Sequence, residues 1–289
     1  LAQLFPRFDC LVAAVLDAYR SERGREADVL AVADLQRRIR HCRRRRVRRF
    51  LRKVFRDSTA FACERGWRYF RVYDRARDSP EMRDFLADPD ASLQHPETRY
   101  LKQGNTCTLW LARIDGRLLV VKRYNIKRLS HRIGRAFRRT RAAVSWANAH
   151  RLGMYGIATA RPVALLEQRL GPLRGRAWFV SEYVAGDDVL RLCAEPVQDA
   201  ARQVLDLLGQ LAQCRISHGD MKGSNILLSE EGPQIIDLDA MREHATNWTY
   251  RRMRSRDLRR FMRNWEDCPE IAGYFRSSLF SETVSGSRG

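Results

Sequence analysis

The segment His218-Gly219-Asp220-Met221-Lys222-Gly223-Ser224-Asn225-Ile226-Leu227-Leu228, followed by Gln234-Ile235-Ile236-Asp237-Leu238-Asp239, decides how this chain is read. Ile226 to Leu228 is apolar and β-prone, Ser229-Glu230-Glu231-Gly232-Pro233 is turn chemistry, and Gln234 to Ile236 returns as a second apolar strand. The spacing predicts a hairpin whose open end makes neighbours of Asn225 and Asp237. An amide oxygen beside a carboxylate suits a hard, oxygen-seeking cation such as Mg²⁺, which keeps part of its water shell and shares its other positions with phosphates. Asp220 then falls on the connecting loop, where it can accept a hydrogen bond from an attacking hydroxyl, and Lys222 is placed to counter charge on a transferred phosphoryl group. A turn with capping Asp and Asn residues and a solvated lysine is the plainer reading of the first run. The hairpin and the second acid weigh against it.

This is the H-x-D-x-x-x-x-N arrangement with a following metal-binding Asp found in protein kinases. A kinase also needs a lid over the phosphates and a lysine to hold them. Leu101 to Leu111 reads as strand, turn and strand, with Gly104, Asn105 and Thr106 at the turn; Asp115-Gly116 closes a second turn, and Leu118-Leu119-Val120-Val121-Lys122 is a buried strand ending in Lys. A lysine emerging from an apolar run is costly to bury unless it meets an anion, and the α and β phosphates of ATP supply one. Gly104 stands alone where protein kinases commonly have several glycines, so the Asn105 and Thr106 backbone has less freedom to approach phosphates. Ala177 to Val184 is a strand leading into Ala185-Gly186, the expected hinge, where the Glu182 carbonyl and the Val184 amide would meet adenine.

Three stretches carry a family resemblance: Arg99 to Tyr124; His150 through Pro162; and His218 to Lys222 with Ile236 to Met241. They resemble the bacterial lipopolysaccharide core kinases (the Kdo/heptose kinase, WaaP-like family), over roughly residues 97 to 265. The resemblance implies a two-lobed, protein-kinase-like α+β fold, ATP and Mg²⁺ as cofactors, and phosphorylation of a heptose or Kdo hydroxyl in the lipopolysaccharide inner core at the cytoplasmic face of the inner membrane. By motif position it implies Asp220 as catalytic base, Asn225 and Asp237 as metal ligands and Lys122 as the nucleotide lysine. An aminoglycoside-type or protein kinase shares the same catalytic core and stays open as an alternative.

One departure matters. Protein kinases pair the strand lysine with a glutamate on the next helix, yet no acidic residue occurs from Ile126 to Leu166. Asn148, on a helix predicted over Thr140 to Leu152, is the expected polar partner of Lys122. A neutral amide holds an ammonium less firmly than a carboxylate, which leaves open an inactive kinase-like module. His218 is expected to buttress the loop by packing, Asp239 either to assist the metal or to cap the next turn, and Asp257 to accept from the catalytic-loop backbone or to serve as a helix charge.

Composition frames the rest. A 289-residue chain with 44% apolar residues holds a real core, and its formal charge of +20 implies an anionic substrate or surface. Basic residues crowd Arg37 to Arg56, His131 to Arg141 and Arg251 to Arg263. Within the first cluster, Val47, Phe50, Leu51 and Val54 recur at helical spacing. Such an amphipathic helix docks on its own domain, lies on an anionic membrane or presents arginines to phosphates. Nucleic acid is the competing partner, but no recognised nucleic-acid motif accompanies the charge.

The expected organisation is a basic extension over 1–96, a small lobe and hinge over 97–184, a mainly helical lobe over 185–280 and a frayed tail over 281–289. Within the extension, Thr59 to Cys63 and Trp67 to Tyr73 suggest a hairpin that extends the small-lobe sheet, and residues 74–98 read as a linker with a short helix. Seven cysteines without C-x-x-C spacing show no paired framework, which fits a reducing compartment. The apolar run Cys10 to Leu16 is too short to span a bilayer, so the expected location is cytoplasmic, peripheral to the membrane.

Overall fold

The computed structural model describes residues 32–125, 139–194 and 198–280. The apolar run Cys10 to Leu16, the basic stretch 131–138 and the tail 281–289 lie outside the described residues.

The N-terminal lobe is built on seven strands: β1 (Phe61–Arg65), β2 (Tyr69–Asp74), β3 (Arg99–Gln103), β4 (Cys107–Ile114), β5 (Arg117–Tyr124), β6 (Pro162–Leu170) and β7 (Leu173–Glu182). They form one antiparallel sheet in the order β1-β2-β6-β7-β5-β4-β3. The expected early hairpin is β1 and β2, and it joins the sheet through β2 and β6.

Successive residues of a strand face opposite sides, and the two faces bury different sets. Phe61, Phe70, Val72, Leu165 and Ala177 join the main core, whereas Ala62, Tyr73, Ala164, Leu166 and Trp178 form a second one. The second face is closed by the stretch read as a linker. Ser79 caps α2 (Pro80–Ala87), with Pro80 opening the helix, and α2 buries Met82, Phe85 and Leu86. Beyond it, Asp90 accepts from Trp178 Nε1 at 2.8 Å and from Arg123 Nη1 at 2.7 Å, pinning the cover to the sheet.

The first face is covered by α3 (Arg141–Tyr155), capped by Thr140 and ended by Gly156 at φ 73°. Against α3 packs α1 (Val32–Lys53) with its arginine-rich sequence. Ile39, Val47 and Leu51 of its apolar stripe, and Val54 just beyond, are buried. Trp146 Nε1 donates to Val54 O at 2.8 Å, and Phe50, Phe61, Trp146 and His150 form a ring cluster at the seam. The stripe therefore docks on its own domain; Arg45, Arg46, Arg48, Arg49 and Arg52 are exposed, whereas Arg43 and Arg44 turn toward the domain.

The C-terminal lobe contains α4 (Gln198–Gln213), α5 (Asn247–Met262) and α6 (Pro269–Phe280), whose core includes Leu207, Leu211, Phe261, Trp265 and Phe275. Short strands β8 (Asp187–Asp188), β9 (Ile216–Ser217), β10 (Ile226–Ser229), β11 (Gly232–Ile235) and β12 (Arg242–Glu243) carry the connecting loops. Cys193 and Cys268 form a disulfide with Cα atoms 5.5 Å apart, contrary to the expectation of no paired cysteines. The partners lie 75 residues apart and meet only because the turn after β8 packs near the start of α6, so no spacing rule reveals them.

Candidate active site

The expected hairpin is β10 and β11, paired from Ile226 with Ile235 to Ser229 with Gly232. At its open end Ile236 N donates to Asn225 O at 2.9 Å, so Asn225 and Asp237 stand side by side. Asn225 is buried, and its Nδ2 donates to Asp220 O at 2.8 Å, which fixes the amide plane and ties it to the preceding loop. Asp237 has φ 60°, a left-handed conformation that a non-glycine residue adopts at a cost. Surrounding structure holds it there at the turn out of β11.

The loop from His218 to Asn225 is braced from below. His218 is fully buried and its Nε2 donates to Ile236 O at 2.9 Å. Asp257, on α5, accepts from His218 N at 2.6 Å and from Gly219 N at 2.9 Å. Of the two roles considered for Asp257, bracing the loop backbone is the one the geometry realises. Burial pushes its carboxyl above the usual range despite those two donors. Gly219 is required here: at φ 82°, a Cβ would come within 2.8 Å of Ala240 O.

Lys122, near the end of β5, reaches across the lobes. Its Nζ lies 2.5 Å from Asp237 Oδ1 and 3.5 Å from Asp239 Oδ2, and Asp239 also pairs with Arg141 at 2.6 Å. Burial works against the lysine charge, but Tyr124, Asp237 and Asp239 outweigh it and hold the ammonium above its ordinary pKa. For Asp237, burial alone would raise the carboxyl; Lys122 overcomes this and keeps it below the usual range. The Asp220 carboxylate meets Arg260 Nη1 at 2.6 Å and Lys222 Nζ at 3.2 Å.

Between the lobes lies a cleft of about 420 Å³, whose lining does not include Asp220 or Asp239. Lys122, Glu182, Val184, Lys222, Asn225 and Asp237 line it, together with apolar surface from Leu109, Val120, Phe179 and Leu227. The apolar walls and hinge backbone suit a flat heteroaromatic ring, and the polar end suits phosphates. Gly104, Asn105 and Thr106 form the β3–β4 turn, where Gly104 N donates to Cys107 O at 3.1 Å; the cleft wall at this end is Leu101, Lys102 and Cys107. Among the described residues no group of three or more His, Cys, Asp or Glu side chains could hold a metal by itself. One amide and one carboxylate fit instead a cation that completes its shell from phosphate and water.

Asn148 requires a correction. It lies on α3 as expected, but its Nδ2 donates to Leu238 O at 2.8 Å and Met241 O at 3.0 Å, and it is not the partner of Lys122. That place is taken by carboxylates from the Asp237-Leu238-Asp239 run. The reason is geometric: α3 is stitched to this run by Asn148 and Arg141, which brings Asp239 to the lysine. The alternation of the two acids was a usable signal for Asp239. Arg260 had none, because only the fold sets α5 beside residue 220.

A seven-stranded antiparallel lobe, a mainly helical lobe, and a strand lysine facing an H-x-D-x-x-x-x-N loop across a cleft define a protein-kinase-like phosphotransferase. The chain belongs to the lipopolysaccharide kinase (Kdo/WaaP) family, whose profile matches residues 84–275, and it is an ATP-dependent kinase. A sequence search of curated proteins gives no match. The solved structure of WaaP in complex with acyl carrier protein has a TM-score of 0.51 to this chain at 19% identity, covering 71% of this chain and 87% of WaaP; likeness at that identity speaks to the fold. No helix among the described residues is long and apolar enough to cross a membrane.

Proposed function

We propose that this kinase transfers the γ-phosphoryl group of ATP to a heptose or Kdo hydroxyl of the lipopolysaccharide inner core. Asp220 accepts the hydroxyl proton as the oxygen attacks phosphorus, and Lys222 balances charge on the transferring group. Lys122 holds the α and β phosphates, while the Glu182 carbonyl and Val184 amide receive adenine and the turn at Gly104, Asn105 and Thr106 covers the phosphates. Asn225 and Asp237 would hold Mg²⁺, which when bound neutralises phosphate charge. The observation that carries this reading is the convergence of Lys122, Lys222, Asn225 and Asp237 on one cleft, with the Asp220 backbone carbonyl tied to Asn225.

Asp239 takes the part that a helix glutamate plays in protein kinases. At 3.5 Å from Lys122, while Asp237 turns to a cation, it keeps the lysine oriented. Arg141 at 2.6 Å in turn orients Asp239 from the helix side. The chain thereby obtains a carboxylate for its lysine without an acid on α3. Exposed arginines on α1 and α5 favour an anionic membrane surface over nucleic acid as the place where the acceptor is met, since the lipid-linked saccharide resides there.

The test is transfer of ³²P from ATP to purified inner-core saccharide, aminoglycosides and protein in parallel. Label on the saccharide is expected. Label confined to an aminoglycoside or to protein would overturn the acceptor assignment.

A further inference from the structure

A second cavity, of about 230 Å³, lies away from the cleft, where α1 crosses the C-terminal ends of α3 and α4. Arg40, His41, Arg43, Arg44, Tyr155 and Arg215 line it with their neighbours, and no acidic side chain among the described residues does. Arg43 donates to Tyr155 O at 2.7 Å with its guanidinium over the Tyr155 ring. Arg44 donates to Glu243 Oε1 and to His244 O, both at 2.6 Å. These two are fixed by the fold. Arg40 and Arg215 make no ion pair with a described residue. Like charges gathered around a small concavity repel one another, and an oxyanion removes that repulsion.

The backbone supplies the independent observation. Arg215 has φ 52°, and its conformation is set from both sides: its N–H donates to Ala212 O at 2.9 Å, ending α4, and its carbonyl accepts from His244 N at 2.9 Å. A left-handed residue after a helix is ordinarily Gly or Asn, because any larger side chain strains the backbone there. An arginine at this position, with its side chain on the cavity wall, is a strained choice that α4 does not need. Strain of this kind gathers where a side chain serves a ligand.

We propose that this cavity binds a phosphate group, with Arg40 and Arg215 as its principal ligands and Arg43 and Arg44 completing the cradle. The group is either a free phosphate or the head of an anionic lipid. The site is joined to the catalytic loop: Glu243 belongs to β12, which pairs with β9, and Ser217 Oγ meets His244 Nε2 at 2.7 Å immediately before His218. Occupancy therefore steadies the base of the loop that carries Asp220. Nothing in this site depends on the acceptor assigned above.

Thermal unfolding and titration calorimetry with inorganic phosphate, at ionic strength matched with sodium chloride, test the proposal, beside vesicles of phosphatidylglycerol in phosphatidylcholine. Phosphate or vesicles should stabilise the wild type, and which of them does so identifies the source of the group. Arg215→Gly relieves the backbone, so the ligand-free variant should melt no lower than wild type. Its affinity should nevertheless fall about tenfold or more, the scale of one lost charge-assisted contact. Arg40→Ala should fall alike, whereas Lys122→Met, which alters the cleft, should bind as wild type does. Equal binding by Arg215→Gly, loss in Lys122→Met, or no stabilisation in either arm would overturn the site.

Discussion

The cleft and the cavity under α1 handle positive charge in opposite ways. Around the cleft, cations meet carboxylates: Lys122 faces Asp237 and Asp239, Arg141 faces Asp239, and Lys222 and Arg260 face Asp220. Under α1, Arg40 and Arg215 stand around a concavity with no acid among the described residues on its wall. The basic residues behind the formal charge of +20 are thus paired with carboxylates around the cleft, whereas under α1, among the described residues, Arg44 alone of Arg40, Arg43, Arg44 and Arg215 meets one, Glu243. Balanced pairs preorganise chemistry, because each group already stands where a phosphate or proton will be; unbalanced clusters await an anion.

Substitutions in the cleft should therefore cost turnover, and the largest effect is expected at residue 220. Asp220→Ala should lower kcat by about 10²- to 10⁴-fold, the range of a lost general base, while nucleotide binding survives. Steady-state kinetics beside calorimetric ATP titration separates the two, and wild-type turnover would remove Asp220 from its role. A smaller loss is expected at the lysine's second carboxylate. Asp239→Asn should lower kcat/KM for ATP by about tenfold, consistent with one charge-assisted contact, with little change in melting temperature. Asn148→Ala should do the reverse, since it strands two buried carbonyls at a cost of about 1–3 kcal/mol while leaving the lysine paired. If Asn148→Ala raised KM for ATP and Asp239→Asn did not, the pairing described here would be wrong.

The seam between α1 and the sheet sharpens the contrast, because it titrates without touching the cleft. Burial pushes His150 down to about 3, and its Nε2 has no hydrogen-bond partner among the described residues. A group depressed on folding contributes stability above its unfolded pKa and loses it below. The loss should begin near pH 6.5 and continue toward pH 3, at about 1.4 kcal/mol per pH unit where the unfolded histidine is fully protonated. Urea unfolding of wild type and His150→Gln between pH 7 and pH 5 measures this term. A histidine contribution that does not flatten in the variant would contradict neutral burial at this seam.

Much of this was legible in the sequence because it is local. The hairpin after Asn225, the strand ending near Lys122, the Thr140-capped helix and the stripe of α1 each follow from periodicity or turn residues within a few positions. The partner of Lys122 was not legible, because hydrogen-bonding types on one helix do not disclose which loop that helix is stitched to. Asn148 had suitable chemistry but faced carbonyls, and Asp239, more than a hundred residues beyond Lys122, took the place. The same holds for Cys193 with Cys268 and for Arg260 beside Asp220, contacts made by the packing of distant elements.

The most direct test is calorimetric titration of MgATP into wild type and Asp237→Ala, with and without Mg²⁺. A cation held by Asn225 and Asp237 predicts that Mg²⁺ tightens ATP binding in the wild type and that the variant loses most of this gain. Binding by Asp237→Ala as tight as wild type, with the same dependence on Mg²⁺, would contradict it.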